Sequence, residues 1–266
     1  MKTTFKLGIR AIHQKNIKTA ITQAKRNGFD ILEIHLSSPQ FQPQSYKQNQ
    51  LSEIRDFAKK SGITLQTHSE IGQSLIQADE ILRKAEKLKL RQIIQFSQKI
   101  GARCLTLHIG DAPGYNAGPG NHISNDALYS KFYSGLFEDS VKYIISIAPK
   151  DLFVCVENDS LLPIYQKILN KYLPTNKVFL TWDLMKSYTF EPTKKLRKDQ
   201  FQFMVKNINY VRNVHISGPG HAGLEGYEND LAPFIKLLQD KNIPVVFEVL
   251  SLPEAILAKK IVQNSK

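Results

Sequence analysis

Seven residues of metal-ligand or proton-transfer type stand at the ends of short aliphatic runs: His35, His68, His108, Glu157, Asp183, His215 and Glu248. Imidazoles and carboxylates bind divalent transition metals and move protons near neutral pH. One histidine at a strand end is ordinarily a hydrogen-bonded structural residue, so the weight rests on the recurrence. Carboxylates gathered within several ångströms repel, and their proton affinities rise unless a cation lies between them. Imidazoles mixed with carboxylates suit Zn, Mn, Co or Fe(II), whereas an all-oxygen set suits Mg or Ca. The expected cofactor is therefore one divalent metal ion, with Glu157, Asp183, His215 and Glu248 as its protein ligands.

Such a site needs a scaffold that brings distant run ends together. Candidate strands fall at 4–10, 31–36, 63–68, 103–108, 152–157, 178–183, 211–216 and 244–249. Helix-like segments at 17–27, 51–60, 78–100, 125–147, 162–172, 199–207, 231–241 and 253–263 alternate with them. In the third, Ile81, Leu82, Ala85, Leu88, Ile93, Ile94 and Phe96 recur with near-helical spacing. Gly28, Gly62 and Gly101 supply C-terminal stops. Eight strand–helix pairs in this length describe a (β/α)8 barrel, whose strand ends converge on one rim. A doubly wound sheet would place a glycine-rich phosphate turn after its first strand, but Ala11-Ile12-His13-Gln14 follows here. With no linker or low-complexity tract, one barrel domain over 1–266 is expected. The irregular stretch 110–121 after the fourth strand reads either as a lid or binding loop or as a surface excursion.

Composition narrows the partners. The chain has 266 residues, with 36 Lys+Arg against 24 Asp+Glu and a formal charge of +12. That balance invites nucleic acid, anionic lipid or phosphorylated substrates, unless lysine merely solvates helix faces. A hydrophobic share of 42% excludes disorder as the dominant state. No uncharged apolar run approaches the roughly 18 residues of a membrane span, and residues 1–6 lack the apolar stretch of a secretory signal. Two cysteines, Cys104 and Cys155, make no disulfide framework, so a cytoplasmic location without membrane attachment is expected. Both thiols lie within strands and read as buried and inert. Trp182 should pack between barrel and helices, and His35 should be structural, while His13 and His122 fall in loops without an assigned role.

The segments Leu105-Thr106-Leu107-His108-Ile109-Gly110, Val154-Cys155-Val156-Glu157-Asn158, Leu180-Thr181-Trp182-Asp183, Asn213-Val214-His215-Ile216-Ser217 and Val245-Val246-Phe247-Glu248-Val249 resemble strand motifs of the xylose isomerase-like barrel superfamily. That superfamily includes sugar isomerases and epimerases, inosose-processing enzymes and the endonuclease IV family of DNA repair. The resemblance runs from the first strand to the last helix. In the epimerase branch it implies one metal held by Glu157, Asp183, His215 and Glu248. The metal would bind a ketose carbonyl and its neighbouring hydroxyl, acidify the intervening C–H and stabilise an enediolate. Glu157 and Glu248 would then be the catalytic pair that removes and returns the proton.

The endonuclease IV branch implies three zinc ions and more ligands, with His68, His108 and His221 matching its further histidines. Two positions depart from that pattern. Lys186 stands where a histidine is wanted three residues after Asp183, and Pro219 stands where an aspartate is wanted before His221. A protonated lysine does not ligate zinc, and proline has no donor. The epimerase pattern also commonly has the histidine that Lys186 replaces. His68, His108, His221 and Lys186 are therefore candidates for substrate binding or a second metal. Lys186 also opens a basic stretch with Lys194, Lys195, Arg197 and Lys198 that reads either as a grip for a sugar phosphate or as a solvated loop and helix start. The expected activity is metal-dependent isomerisation or epimerisation of a small sugar or sugar phosphate. A zinc-dependent nuclease acting on abasic DNA is the alternative.

Overall fold

Alternation along each strand decides which side chains enter the barrel and which face the helices. The computed structural model describes residues 6–11, 13–70, 74–116, 122–159, 161–187 and 195–264. Eight parallel strands close into a barrel: β1 (Leu7–Ala11), β2 (Ile31–His35), β3 (Thr64–His68), β4 (Cys104–Leu107), β5 (Phe153–Glu157), β6 (Phe179–Asp183), β7 (Val211–Ile216) and β8 (Val245–Phe247). Each strand pairs with its neighbours in sequence, and β8 pairs with β1. The (β/α)8 expectation holds.

Outward residues such as Leu105, Leu107, Val154, Val156, Leu180 and Trp182 join the main apolar core with the helices. Trp182 is fully buried against Phe201 and Phe234, with ring centroids 5.7 and 6.4 Å away. Its indole N–H donates to Ser187 Oγ at 2.6 Å, which satisfies the one polar atom it carries inward. It packs between barrel and helices, as expected.

Inward residues form storeys. Near the strand starts Cys104, Cys155 and Phe179 make a separate small cluster with Phe153 packed against it. Above it the Thr106 and Thr181 hydroxyls bond to each other at 2.8 Å. Glu33, Gln66 and Asn213 are further polar residues buried inside the barrel, and Gln66 lies opposite Cys104. Register then stacks the rim: His35 lies opposite His68, and Asp183 opposite His215. A register shift at Leu180/Thr181 precedes that second pairing.

Local signals account for the element boundaries. Asn16 Oδ1 accepts from the Thr19 amide at 2.9 Å to open the helix Ile17–Arg26. Asp79 Oδ1 does the same for Leu82 at 3.0 Å ahead of Glu80–Lys99. Gly28, Gly62 and Gly101 all take positive φ just beyond helix ends. Gly110, which turns the chain after β4, has φ +95° and lies so close to Ser74 that an added Cβ would sit 2.5 Å from its Cα.

Three boundaries differ from expectation. Gly114–Asn116, within 110–121, pairs antiparallel with His122–Ser124, in a region that glycine and proline make look irregular. Residues 117–121, where a lid would have its tip, lie outside the described residues. The fourth helical segment divides into Asn125–Leu128 and Ser130–Ile147. His108 and Glu248 directly follow their strands rather than ending them. Glu248 still donates its backbone N–H to the Ile216 carbonyl at 3.1 Å, so it stays tied to the wall. No helix among the described residues is long and apolar enough to cross a membrane.

Candidate active site

Glu157 is the centre of the rim. Its Oε2 meets His68 Nε2 at 3.2 Å and His108 Nε2 at 3.1 Å, and its Oε1 faces His215 Nδ1 at 3.3 Å. His68 Nδ1 is 2.8 Å from the Ser69 carbonyl, which fixes that nitrogen as the donor and leaves Nε2 to face Glu157. Burial pushes the Glu157 carboxyl up, but His108 and His215 overcome it and hold the group well below the usual carboxylate range. Burial likewise opposes charge on His108, yet Glu157 and Asp159 raise its proton affinity to about 10.

Asp183 sits among like charges. The side chain of Asn158 clamps its backbone, accepting from the Asp183 amide at 2.6 Å and donating to the Asp183 carbonyl at 3.1 Å. Its Oδ1 accepts from the Met185 amide at 2.9 Å. Even so, burial and then the charges of Glu157 and Glu248 push its pKa up to about 7. Ligand atoms of Glu157, Asp183 and Glu248 all lie within 4.8 Å of one another. Three buried carboxylates around one point are the arrangement that a cation relieves.

His215 bridges two storeys. Its Nδ1 turns to Glu157 and, at 3.6 Å, to Glu248 Oε2, while its Nε2 lies 3.0 Å from Glu33 Oε2. Asn213 Nδ2 also donates to Glu33 Oε2, at 3.1 Å. A carboxylate behind an imidazole sets its tautomer and aims the other nitrogen forward. Burial works against charge on His215, but Glu248 and Glu33 raise its proton affinity well above the ordinary value. Glu248 is steadied from the other side by Arg10, whose Nη1 lies 3.4 Å from Oε1.

All four expected ligands, Glu157, Asp183, His215 and Glu248, therefore share one space, and His68 and His108 join them. His35 stacks on His68 with ring centroids 4.7 Å apart. Burial, then the charges of His68 and Arg10, lowers its proton affinity to about 3, so it is a neutral packing partner. His221 stands apart: its Nδ1 faces the Glu248 carbonyl at 3.1 Å, and it belongs to none of the ligand groups found among the described residues. Lys186 bonds Asp159 Oδ1 at 3.1 Å, and Asp159 Oδ2 lies 3.3 Å from His108 Nδ1. A chain of alternating charge thus runs Lys186–Asp159–His108–Glu157. Lys194 lies outside the described residues, Lys195 and Arg197 are described only as backbone of the helix Lys195–Lys206, and Lys198 is exposed.

Five supporting residues escaped the sequence reading: Arg10, Glu33, Asn158, Asp159 and Asn213. Glu33 and Asn213 each precede a recognised histidine by two positions, and Asp159 follows Glu157 by two. In a strand that spacing puts both residues on one face, so a period-two search outward from the rim would have found them. Glu33 is the clearest signal, an acid at 0% exposure inside an aliphatic strand.

Fold and rim together define a class: a (β/α)8 barrel whose strand ends gather carboxylates and imidazoles about one space. More particularly, the chain belongs to the xylose isomerase-like TIM barrel family, which matches it over residues 21–261. Among solved structures it is similar to a 3-keto-D-glucoside 4-epimerase from E. coli, with 16% identity, 97% of each chain covered and a TM-score of 0.69. A D-tagatose 3-epimerase-like protein matches with 14% identity over 98% of this chain and 97% of its own, with a TM-score of 0.73. A D-psicose 3-epimerase from Clostridium cellulolyticum H10, solved with D-tagatose, matches with 16% identity over 98% and 99%, with a TM-score of 0.67. At these identities the likeness is one of fold. No curated protein sequence matches significantly.

Proposed function

We propose that the chain, working as one barrel domain over residues 1–266, is a divalent-metal-dependent isomerase or epimerase of a small sugar or sugar phosphate. The observation that carries this reading is the buried trio Glu157, Asp183 and Glu248, ligand atoms within 4.8 Å, with His215 Nδ1 turned toward two of them. Three oxygen donors and one imidazole suit Mn, Co, Zn or Fe(II). When bound, the ion would polarise a ketose carbonyl and its neighbouring hydroxyl and favour the enediolate. Glu157 and Glu248 are the proton-moving pair. They close walls separated by two strands, so their carboxylates reach one substrate from different sides. One removes the proton from the hydroxyl-bearing carbon next to the carbonyl, and the other returns a proton to that carbon on the opposite face. Arg10 steadies Glu248, and His68 and His108 steady Glu157. Lys186 and His108, joined through Asp159, are the groups suited to a substrate hydroxyl or phosphoryl oxygen. The sugar epimerases among the structural neighbours agree with this reading.

One observation favours a second reading, a zinc-dependent phosphodiester hydrolase of the endonuclease IV kind. His68, His108 and Glu157 form a second ligand group beside the first. Against it, the Lys186 ammonium lies in an ion pair with Asp159, and His221 turns to a backbone carbonyl. Metal analysis separates the two, since about one ion per chain fits the isomerase and about three fit the nuclease. With the metal-replete protein, solvent deuterium should enter one carbon of a ketose or ketose phosphate. A nicked abasic duplex without such exchange would replace the first reading by the second.

A further inference from the structure

A cavity lies at the other end of the barrel, where the strands begin. It has a volume of about 940 Å³, within the roughly 300–1,000 Å³ typical of small-molecule sites. Its lining includes Ile31, Thr64, Phe153 and Val211, the first residues of β2, β3, β5 and β7. Six cations line it as well: Lys6, Arg55, Lys59, Arg103, Arg212 and Lys241. No aspartate or glutamate is among the lining residues. Among the described residues only Arg55 of the six has a carboxylate partner, Asp56 at 3.2 Å. Lys6 and Lys241 reach only neutral oxygens, on Thr64 and Asn209.

Two of these cations share one aromatic ring. The Arg103 and Arg212 guanidinium carbons lie 5.1 and 5.3 Å from the centroid of the same Phe153 ring, and Arg212 lies 4.5 Å from that of Phe179. The rings hold both guanidiniums by cation–π attraction; Arg212 Nη1 donates to the Asn209 and Val211 carbonyls at 2.8 and 3.1 Å, and among the described residues neither arginine has a carboxylate partner. A guanidinium fork matches the oxygen geometry of phosphoryl groups. At the inner end of the cavity, Gln66 is 2% exposed and its Oε1 has no hydrogen-bond partner, which suits a ligand hydroxyl.

From this we infer that the basin is a second binding site, separate from the rim, for a small phosphorylated anion. Barrels of this class carry their reaction at the strand C-terminal ends, so the basin binds rather than turns over. A concave cavity of this size encloses a compact anion and offers a duplex no extended face. The site also gives part of the +12 charge a role that the sequence had located in the loop after β6.

Calorimetric titration of the full chain with inorganic pyrophosphate at low salt tests this. One saturable site per chain that persists in Lys186→Gln is expected. Charge reversal at the exposed residues Lys59→Glu and Lys241→Glu should each weaken binding about fivefold or more, and Lys186→Gln at the rim should leave it unchanged. Because both lysines are exposed, these variants should fold, and unchanged circular dichroism would confirm it. Absence of saturable binding, indifference to both reversals, or loss of binding in Lys186→Gln would overturn the inference. So would equal displacement of pyrophosphate by a DNA duplex, which would mark the face as a general polyanion surface.

Discussion

The two ends of the barrel solve opposite electrostatic problems. At the C-terminal rim, carboxylates are forced together in a dry space, and imidazoles fill the gaps between them. At the N-terminal basin, cations gather in a wetter space with aromatic faces and neutral oxygens as their partners. The rim's groups are buried, so each charge changes its neighbours' proton affinities. Most of the basin's cations are exposed, and solvent dilutes their coupling. The difference teaches where chemistry and where simple binding can sit. Catalysis needs charges fixed in low dielectric, whereas anion capture needs only reach and sign.

The comparison breaks most visibly at the rim. Glu157→Gln or Glu248→Gln should cut deuterium exchange into substrate by about 10²–10⁴-fold. A variant that keeps more than a tenth of the exchange removes its glutamate from the proton-moving pair. Dialysis against a chelator should abolish turnover, and adding back Mn, Co or Zn should restore it. Full activity in metal-stripped protein would end the metal-dependent reading.

Smaller effects sharpen the contrast. Glu33→Gln should weaken metal binding about 10–100-fold, because Glu33 aims His215. Unchanged affinity would show that the His215 ring holds its orientation without it. Below the rim, Cys155→Ala should cost only about 1 kcal/mol of stability and leave exchange within about twofold of the parent. A larger loss of activity would mean that the interior storeys transmit strain from one end of the barrel to the other.

The fold was largely legible because each strand–helix pair carries its own signals. Caps such as Asn16 and Asp79 and stops such as Gly62 are local, and a barrel repeats one local rule eight times. The rim was legible for the same reason, since strand ends in that architecture share one face. The pairing of Gly114–Asn116 with His122–Ser124 was not, because pairing of two arms that flank a glycine- and proline-rich stretch is decided by both arms together. His221 looked like a ligand by its neighbours in sequence, and the turn Pro219–His221 aims it at a backbone carbonyl instead.

By itself the sequence determined the (β/α)8 barrel and the identity of the residues at its C-terminal rim, because residue type and strand phase are local properties. Tertiary structure alone decided which nitrogen of His215 faces the acids, that Glu33 and Arg10 stand behind the rim, and that Lys186 joins His108 through Asp159. It also decided that six cations from distant segments surround one cavity at the other end. These are relations between residues far apart in the chain, fixed when the sheet closes and brings side chains of separate strands into hydrogen-bonding and Coulombic range.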